Sequence, residues 1–447
     1  MNIKICFVSL GCDKNLIDSE IMLGLIDEKG YIITQDDKEA DIIIINSCGF
    51  IMEANEEAID KILEMADNKV NGRCKGIIVT GCMAQRYKEE IFQSLPEVDA
   101  IVGTGDFENI ANVIQNILAG DEKLSLITDK NHLLEDENSF KRIITTAGGF
   151  AYLKIAEGCD NKCTYCTIPS LRGKYRSRSI ESLVKEASIM ADKGVREIIL
   201  IAQDTSLYGS DIYGEKVLYK LLREISNIEA IKWIRILYCY PENITDELID
   251  EIANNKKVLH YLDMPIQHSE NKILKLMGRR STREGLIELI NKIRAKIPDM
   301  CIRTTLITGF PNETKEDFEA QIDFINKVRF DRLGVFTYSA EEGTPAATMD
   351  NQVDDKIKQE RKDYILDVQR SVSAAVCQSY VGKELEVIVE GKLEGEDNVY
   401  LGRSYRDCYE IDGFVFFNSN EELIAGDFYN IRIIEAGDYD LIGERII

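Results

Sequence analysis

From Ile3 to about Gly120 the chain alternates short β-branched apolar runs with longer segments whose apolar residues recur every three or four positions. ICFVSL is followed by DSEIMLGLIDEKG, DIIIIN by EANEEAIDKILEMADN, KGIIVTG by QRYKEEIFQSL, and VDAIVG by FENIANVIQNILAG. Continuous apolar runs of this length read as strands buried on both faces, and the helical period reads as the helices that cover them. The pattern predicts an open parallel α/β domain over residues 1–120. The next stretch, 121–145, is polar and weakly patterned and reads as a linker.

The βα rhythm then resumes over 146–376. AYLKIAEGC, REIILIAQD, WIRILYCYP, YLDMPIQ, CIRTTLITGFP and RLGVFTYSA alternate with amphipathic helices, ending in a long helix from about Asp354 to Tyr380. Six such units are too few for an eight-fold barrel and predict a partial (β/α)6 barrel with its chemistry at the strand C-termini. Over 377–447 the period shifts to short alternating strands, LEVIVEG, VYLGRSY, EIDGFVFFN and FYNIRIIEAGDYDLIGERI, broken by Gly, Asn and Asp. That predicts a small OB-like β-barrel. The fold class is therefore α/β with a small β-barrel at the C-terminus, in a chain whose 447 residues exceed one ordinary core.

Composition narrows the function classes. The opening MNIKICFVSLG lacks the basic n-region and long apolar stretch of a secretory leader. No later run approaches the roughly 18 apolar residues of a membrane span, so a cytoplasmic protein with no membrane association is expected. Twelve cysteines in a reducing compartment point to metal, cluster or redox roles rather than disulfides. The net charge of -24 disfavours general polyanion binding. From Gln378 onward there are six basic residues against sixteen acidic ones, a balance that repels phosphate and suits a basic protein partner.

The densest chemical signal is EGCDNKCTYCTIP, where Cys159, Cys163 and Cys166 follow a strand in C-x3-C-x2-C spacing. Three thiolates in one loop can hold three irons of a cubane cluster and leave the fourth open. Zinc would call for a further ligand pair nearby, and none is present. A second set is dispersed. Cys12 ends ICFVSLG, Cys48 ends DIIIINS and Cys82 ends KGIIVTG, so all three fall at the carboxyl ends of successive predicted parallel strands, the ligand edge of an open α/β sheet. Gly11, Gly49 and Gly81 precede or follow them and allow close backbone approach. Cys6, Cys239, Cys301 and Cys377 read as small core residues. Cys74 and Cys408 have no ligand-like neighbours. The three histidines, His132, His260 and His268, are too few for histidine-rich metal sites, and His132 falls in the linker.

With Tyr165 as the aromatic residue of C-x3-C-x-Φ-C, the loop resembles the radical S-adenosylmethionine (SAM) superfamily over about residues 145–375. The resemblance implies a 4Fe-4S cluster whose open iron binds the amino and carboxylate groups of SAM, and reductive cleavage of SAM to a 5'-deoxyadenosyl radical. Further SAM contacts would come from strand ends. Gln203 and Asp204, Gln267 and His268, Arg303 and Tyr338 are the candidates, with Arg303 suited to the SAM carboxylate and ordinary barrel-rim roles as the alternative.

The three parts together resemble the methylthiotransferase family over essentially the whole chain, the last part being its TRAM domain. That resemblance implies a second 4Fe-4S cluster on Cys12, Cys48 and Cys82, and two uses of SAM, as radical source and as methyl donor. It also implies a cellular electron donor. The family has a tRNA-modifying branch, MiaB-like, with YGCQMN near its first cysteine. Its RimO-like branch modifies the β-carbon of an aspartate of ribosomal protein uS12 and reads VSLGCPKNLVDSE. This chain has VSLGCDKNLIDSE, departing at Asp13 and Ile17. IAEGCDNKCTYCTIPSLRGKYRSR and YLDMPIQHSENKILKLMGRR also follow the RimO-like pattern. The acidic C-terminal barrel favours basic uS12, free or in the small subunit, over tRNA. A noncatalytic iron-sulfur sensor or ribosome-binding adaptor is the reading from another class. Arg172, Lys174, Arg176 and Arg178 form a local basic patch with three readings: RNA contact; a solvated barrel rim or salt bridges with the acidic neighbouring domains; or attraction of the acidic target side chain.

Overall fold

The computed structural model describes residues 3–131 and 141–446, which divide into two compact units. The first comprises residues 1–145, 156–178 and 339–347; the second comprises 146–155, 179–338 and 348–447.

The first unit is built on six parallel strands: β1 (Lys4–Ser9), β2 (Ile32–Thr34), β3 (Ile42–Ser47), β4 (Gly76–Gly81), β5 (Ala100–Val102) and β6 (Leu124–Leu126), in the order β2-β1-β3-β4-β5-β6. The continuous apolar runs of β3 and β4 are buried at every position. Ile43, Ile45, Ile77 and Val79 pack on Ala58, Ile62 and Met65 of the helix α2 (Met52–Asn71). Two other helices start at the strand ends: α1 (Asp13–Glu28) after β1 and α3 (Cys82–Tyr87) directly after β4. The three-residue strands β2 and β6 lie at the sheet edges, where one neighbour suffices and little apolar sequence marks them.

The segment 121–145 departs from the linker expectation. It contributes β6, and its far end is held by α1. Arg142 Nε donates to Glu20 Oε2 at 2.8 Å, and the Thr145 N–H donates to Glu20 Oε1 at 2.6 Å. Residues 132–140, with His132, lie outside the described residues.

The second unit contains the expected partial barrel. Strands β7 (Phe150–Lys154), β8 (Glu197–Ile201), β9 (Trp233–Ile236), β10 (Val258–Asp263), β11 (Cys301–Thr308) and β12 (Arg332–Thr337) pair in parallel with their sequence neighbours. The long helix runs Asp355–Gln378, capped by the Asp354 carboxylate on the Lys356 N–H. Beyond it β13 (Glu384–Lys392), β14 (Val399–Ser404), β15 (Val415–Asn418), β16 (Phe428–Ala436) and β17 (Leu441–Arg445) close into a barrel in the order β13-β14-β15-β17-β16. The final apolar run, written as one strand in the sequence pattern, is the hairpin β16–β17.

Buried arginines tie this small barrel to the strands of the same unit. Glu197 at the start of β8 accepts from Arg235 Nε at 2.7 Å and from Arg403 Nη2 at 2.7 Å, and all three side chains are fully buried. Arg332 pairs with Asp407, and Arg406 Nη2 lies 3.5 Å from Asp331. Among the described residues no helix is long and apolar enough to cross a membrane.

Candidate functional site

The dispersed cysteines stand at the ends of three adjacent strands. β3 lies between β1 and β4, Ser9 pairs with Asn46, and Ser47 pairs with Gly81. Cys12 is the residue before α1, Cys48 follows β3 and Cys82 opens α3. Their backbones are in close approach. Gly11 adopts φ +92°, and a Cβ there would lie 2.8 Å from Cys48 Cβ; a Cβ on Gly49 would lie 2.7 Å from the Met83 nitrogen, beside Cys82. Below them Asn46 ties the layer together, donating to the Asn15 carbonyl and to Ser19 Oγ, both at 2.8 Å, and accepting from Thr80 Oγ1 at 3.1 Å.

Cys12 is exposed, Cys48 half-buried and Cys82 buried. Burial pushes the Cys82 thiol up to about 12, against the nearby Arg172 charge, while Cys12 and Cys48 push the same way as burial. Burial also raises Cys48, with Cys12 adding to it and the Phe50 N–H and Arg172 opposing it. The three thiols and one guanidinium therefore form a single electrostatic group.

Arg172 comes from the other cysteine loop. Cys159, Cys163 and Cys166 lie between a two-residue antiparallel ladder, Ala156–Glu157 with Arg176–Ser177, and the short helix Ile168–Arg172. The Cys159 N–H donates to the Gly173 carbonyl at 3.1 Å, and the Cys166 N–H donates to the Cys163 carbonyl at 3.2 Å. Burial pushes the Cys166 thiol up to about 12, Cys163 and Cys159 add to the rise, and the Ile168 N–H opposes it. From the end of the helix, Arg172 reaches back to α1. Its Nη1 lies 3.1 Å from Asp18 Oδ2 and 2.9 Å from Glu157 Oε2, and its Nη2 donates to Asn15 Oδ1. Burial opposes its charge, but Cys82, Glu157, Asp18 and Cys12 outweigh burial and hold it charged.

This corrects the solvated-rim reading of the basic patch. Arg172, Arg176 and Arg178 are buried, and only Lys174 is exposed. The Arg172 contacts answer the salt-bridge alternative. Asn15 and Asp18 were not singled out in the sequence, although the polar residues of KNLIDSE recur on one side of a helix.

Among the described residues no three His, Cys, Asp or Glu side chains converge to hold one metal ion. Two all-thiol triads in glycine-containing loops are donor sets of the kind an iron-sulfur cluster takes, each thiolate binding a different iron. The donor sets present fit such groups.

In the second unit Gln203 and Asp204 follow β8, Gln267 and His268 follow β10, and Tyr338 follows β12, all at the carboxyl edge. Gln267 has φ +69°, uncommon for a non-glycine residue, and its N–H donates to the Thr305 carbonyl at 2.9 Å. Tyr338 is buried, its N–H donating to the Thr308 carbonyl and its ring packed edge-on to Phe310. Three of the expected SAM contacts have partners within the protein. The Asp204 carboxylate accepts from Ser206 Oγ at 2.6 Å and Asn243 Nδ2 at 2.8 Å. His268 is fully buried, its Nδ1 accepting from the Glu270 N–H at 3.0 Å and its Nε2 lying 3.7 Å from Glu313 Oε2. Arg303, third residue of β11, pairs with Asp263 at 2.9 Å and faces Asp412 at 3.6 Å.

Residues 4–103 match Uncharacterized protein family UPF0004, 153–325 match the Radical SAM superfamily, and 381–446 match the TRAM domain. The chain is 52% identical to the ribosomal protein uS12 methylthiotransferase RimO of Lachnoclostridium phytofermentans, over 98% of this chain and 99% of that one. It is 50% identical to RimO of Acetivibrio thermocellus, over 100% and 99%, and 47% identical to RimO of Clostridioides difficile, over 99% and 98%. Among solved structures, the radical S-adenosylmethionine methyltransferase TsrM of Kitasatospora setae aligns with a TM-score of 0.56 at 12% identity, covering 86% of this chain and 76% of that one, a likeness of fold alone. Identity near one half along nearly the full length of both chains places this chain in the RimO family of radical SAM ribosomal protein uS12 methylthiotransferases.

Proposed function

We propose that this transferase holds one 4Fe-4S cluster on Cys159, Cys163 and Cys166 and a second on Cys12, Cys48 and Cys82, and places a methylthio group on the β-carbon of an aspartate of uS12. The observation that carries the reading is the meeting of the two triads' supports: Arg172, six residues after Cys166, contacts Asn15 and Asp18, three and six residues after Cys12. When bound, the first cluster supplies the electron that opens the sulfonium of SAM, and the second supplies the sulfur. The β-carbon of an aspartate side chain has no readily removed proton, so radical hydrogen abstraction suits it where general bases do not.

The chain's own residues have definite tasks in this scheme. Asn46, Asn15 and Ser19 fix the strand ends that carry Cys12, Cys48 and Cys82. Buried Arg172 offsets part of the negative charge that the three thiolates bring beside it. Tyr165, Gln203, Asp204, Gln267, His268, Arg303 and Tyr338 are the candidates to orient SAM. The C-terminal barrel favours a basic partner through its charge balance, six basic residues against sixteen acidic ones from Gln378 onward. A cellular electron donor and a cytoplasmic site of action complete the proposal.

Mass spectrometry of uS12 and of tRNA nucleosides from a strain lacking the gene tests it. Loss of the methylthio group from uS12, with tRNA unchanged, is the expected result. Loss from tRNA adenosine alone would contradict it.

A further inference from the structure

The segment 339–347 belongs to the first unit although the chain on both sides of it belongs to the second. Its sequence is SAEEGTPAA. Glu341 is buried, and its carboxylate is fully engaged. Oε2 pairs with Arg86 Nη1 at 2.8 Å, and Oε1 accepts from the Met52 N–H at 3.1 Å and from Ser339 Oγ at 2.6 Å. Each partner stands beside a cysteine of the dispersed triad. Arg86 lies one helical turn beyond Cys82 in α3, and its Nη1 also donates to the carbonyl of Gly49, next to Cys48, at 2.9 Å. Met52 opens α2, at the end of the loop that Cys48 begins.

The same segment reaches the other triad. The Thr344 N–H and Oγ1 donate to the Glu341 carbonyl at 3.1 and 2.7 Å, folding the segment into a turn. Two residues later the Ala346 N–H donates at 2.9 Å to the carbonyl of Thr164, between Cys163 and Cys166. One nine-residue stretch thus grips the Cys48 loop, the Cys82 helix and the Cys163–Cys166 loop.

We infer that 339–347 is a strut that sets the spacing of the two cysteine triads, with Glu341 as its positioning residue. The inference rests on the proposed function. A carbon radical must meet the sulfur before it is quenched, so the separation of the two centres governs how much SAM cleavage ends in product. Glu341 touches no reacting atom. Its loss should leave each triad able to take iron and SAM cleavage intact, while the two reactions come apart.

The test compares wild type, E341A, E341Q and R86A after anaerobic iron and sulfide reconstitution. The measurements are iron per chain, 5'-deoxyadenosine formed per methylthiolated uS12, and hydrogen exchange of the iron-free proteins at the Met52 and Ala346 amides. E341A and R86A should keep wild-type iron, exchange faster at both amides, and raise the ratio of 5'-deoxyadenosine to product several-fold. E341Q, which keeps the acceptor for the Met52 N–H, should recover part of the coupling. An unchanged ratio in E341A, or a loss of iron in E341Q parallel to its loss of product, would overturn the strut. Failure of the functional proposal reads differently, as a C12A/C48A/C82A protein that retains all the iron of wild type.

Discussion

Arg172 Nη1 lies 3.1 Å from Asp18 Oδ2, which joins the helix after the last cysteine of one triad to the helix after the first cysteine of the other. The contact is buried and charged on both sides, so it depends on both partners being present. Removing one leaves an unmatched charge in a low-dielectric place.

Arg172→Ala should therefore destabilise the iron-free protein by about 3–5 kcal/mol, the range for breaking a buried pair by deleting one member. Arg172→Lys keeps the charge but cannot fork between Asp18, Glu157 and Asn15, and should lose less. Urea unfolding of the three iron-free proteins measures both. Equal stability of wild type and Arg172→Ala would mean the contact contributes nothing.

Alanine at Cys12, Cys48 and Cys82 together should halve the iron bound on reconstitution and leave reductive SAM cleavage in place. Alanine at Cys159, Cys163 and Cys166 should halve the iron and abolish cleavage. Iron analysis and chromatography of 5'-deoxyadenosine separate the two, because only Cys159, Cys163 and Cys166 carry the radical SAM spacing.

The buried thiols set a direction for the pH dependence of the iron-free protein. Cys82 and Cys166 are raised from 9.0 to about 12. A raised thiol favours the neutral form in the folded state, so this contribution is full below the unfolded value and is lost as pH rises from about 9 to about 12. Urea midpoints of the iron-free protein should fall over that window. Cysteine-to-serine replacement at both positions should flatten the fall, and an unaltered slope would contradict the assignment. Exposed Cys12 should be alkylated before buried Cys82 near neutrality.

Glu197→Gln tests the union of the small barrel with the strands of the same unit. Glu197 is held below the ordinary carboxylate range: burial opposes this, but Arg403 and Arg235 overcome it. Its contribution is present above the unfolded carboxylate value and fades as pH falls through the lower folded value. The variant should lose stability at neutral pH and show a weaker acid dependence than wild type. Unchanged acid unfolding would show that the Arg403 pair does not couple the two parts.

The elements that were legible in the sequence are those with a local pattern. β3, β4 and β8 are apolar runs, the long helices are periodic, and both cysteine sets are visible, one by spacing and one by recurrence at strand ends. The misreadings share a cause, which is dependence on distant partners. Arg172 resembled one of four basic residues on a rim because its partner Asp18 is 154 positions away. The partners of Arg303, Asp263 and Asp412, are likewise invisible locally, because they come from other strands and loops. β2 and β6 are too short to show a period, and the brace from Glu341 to Arg86 spans 255 positions. Local sequence shows which side chains are available; only the fold decides which are already committed.

The most direct test is anaerobic incubation of the reconstituted protein with uS12, SAM and a reductant, followed by mass spectrometry of uS12. The expected product is one methylthio group per uS12 on the β-carbon of a single aspartate, formed only when all six cluster cysteines are present. Unmodified uS12 beside abundant 5'-deoxyadenosine, with methylthio appearing on added tRNA, would contradict it.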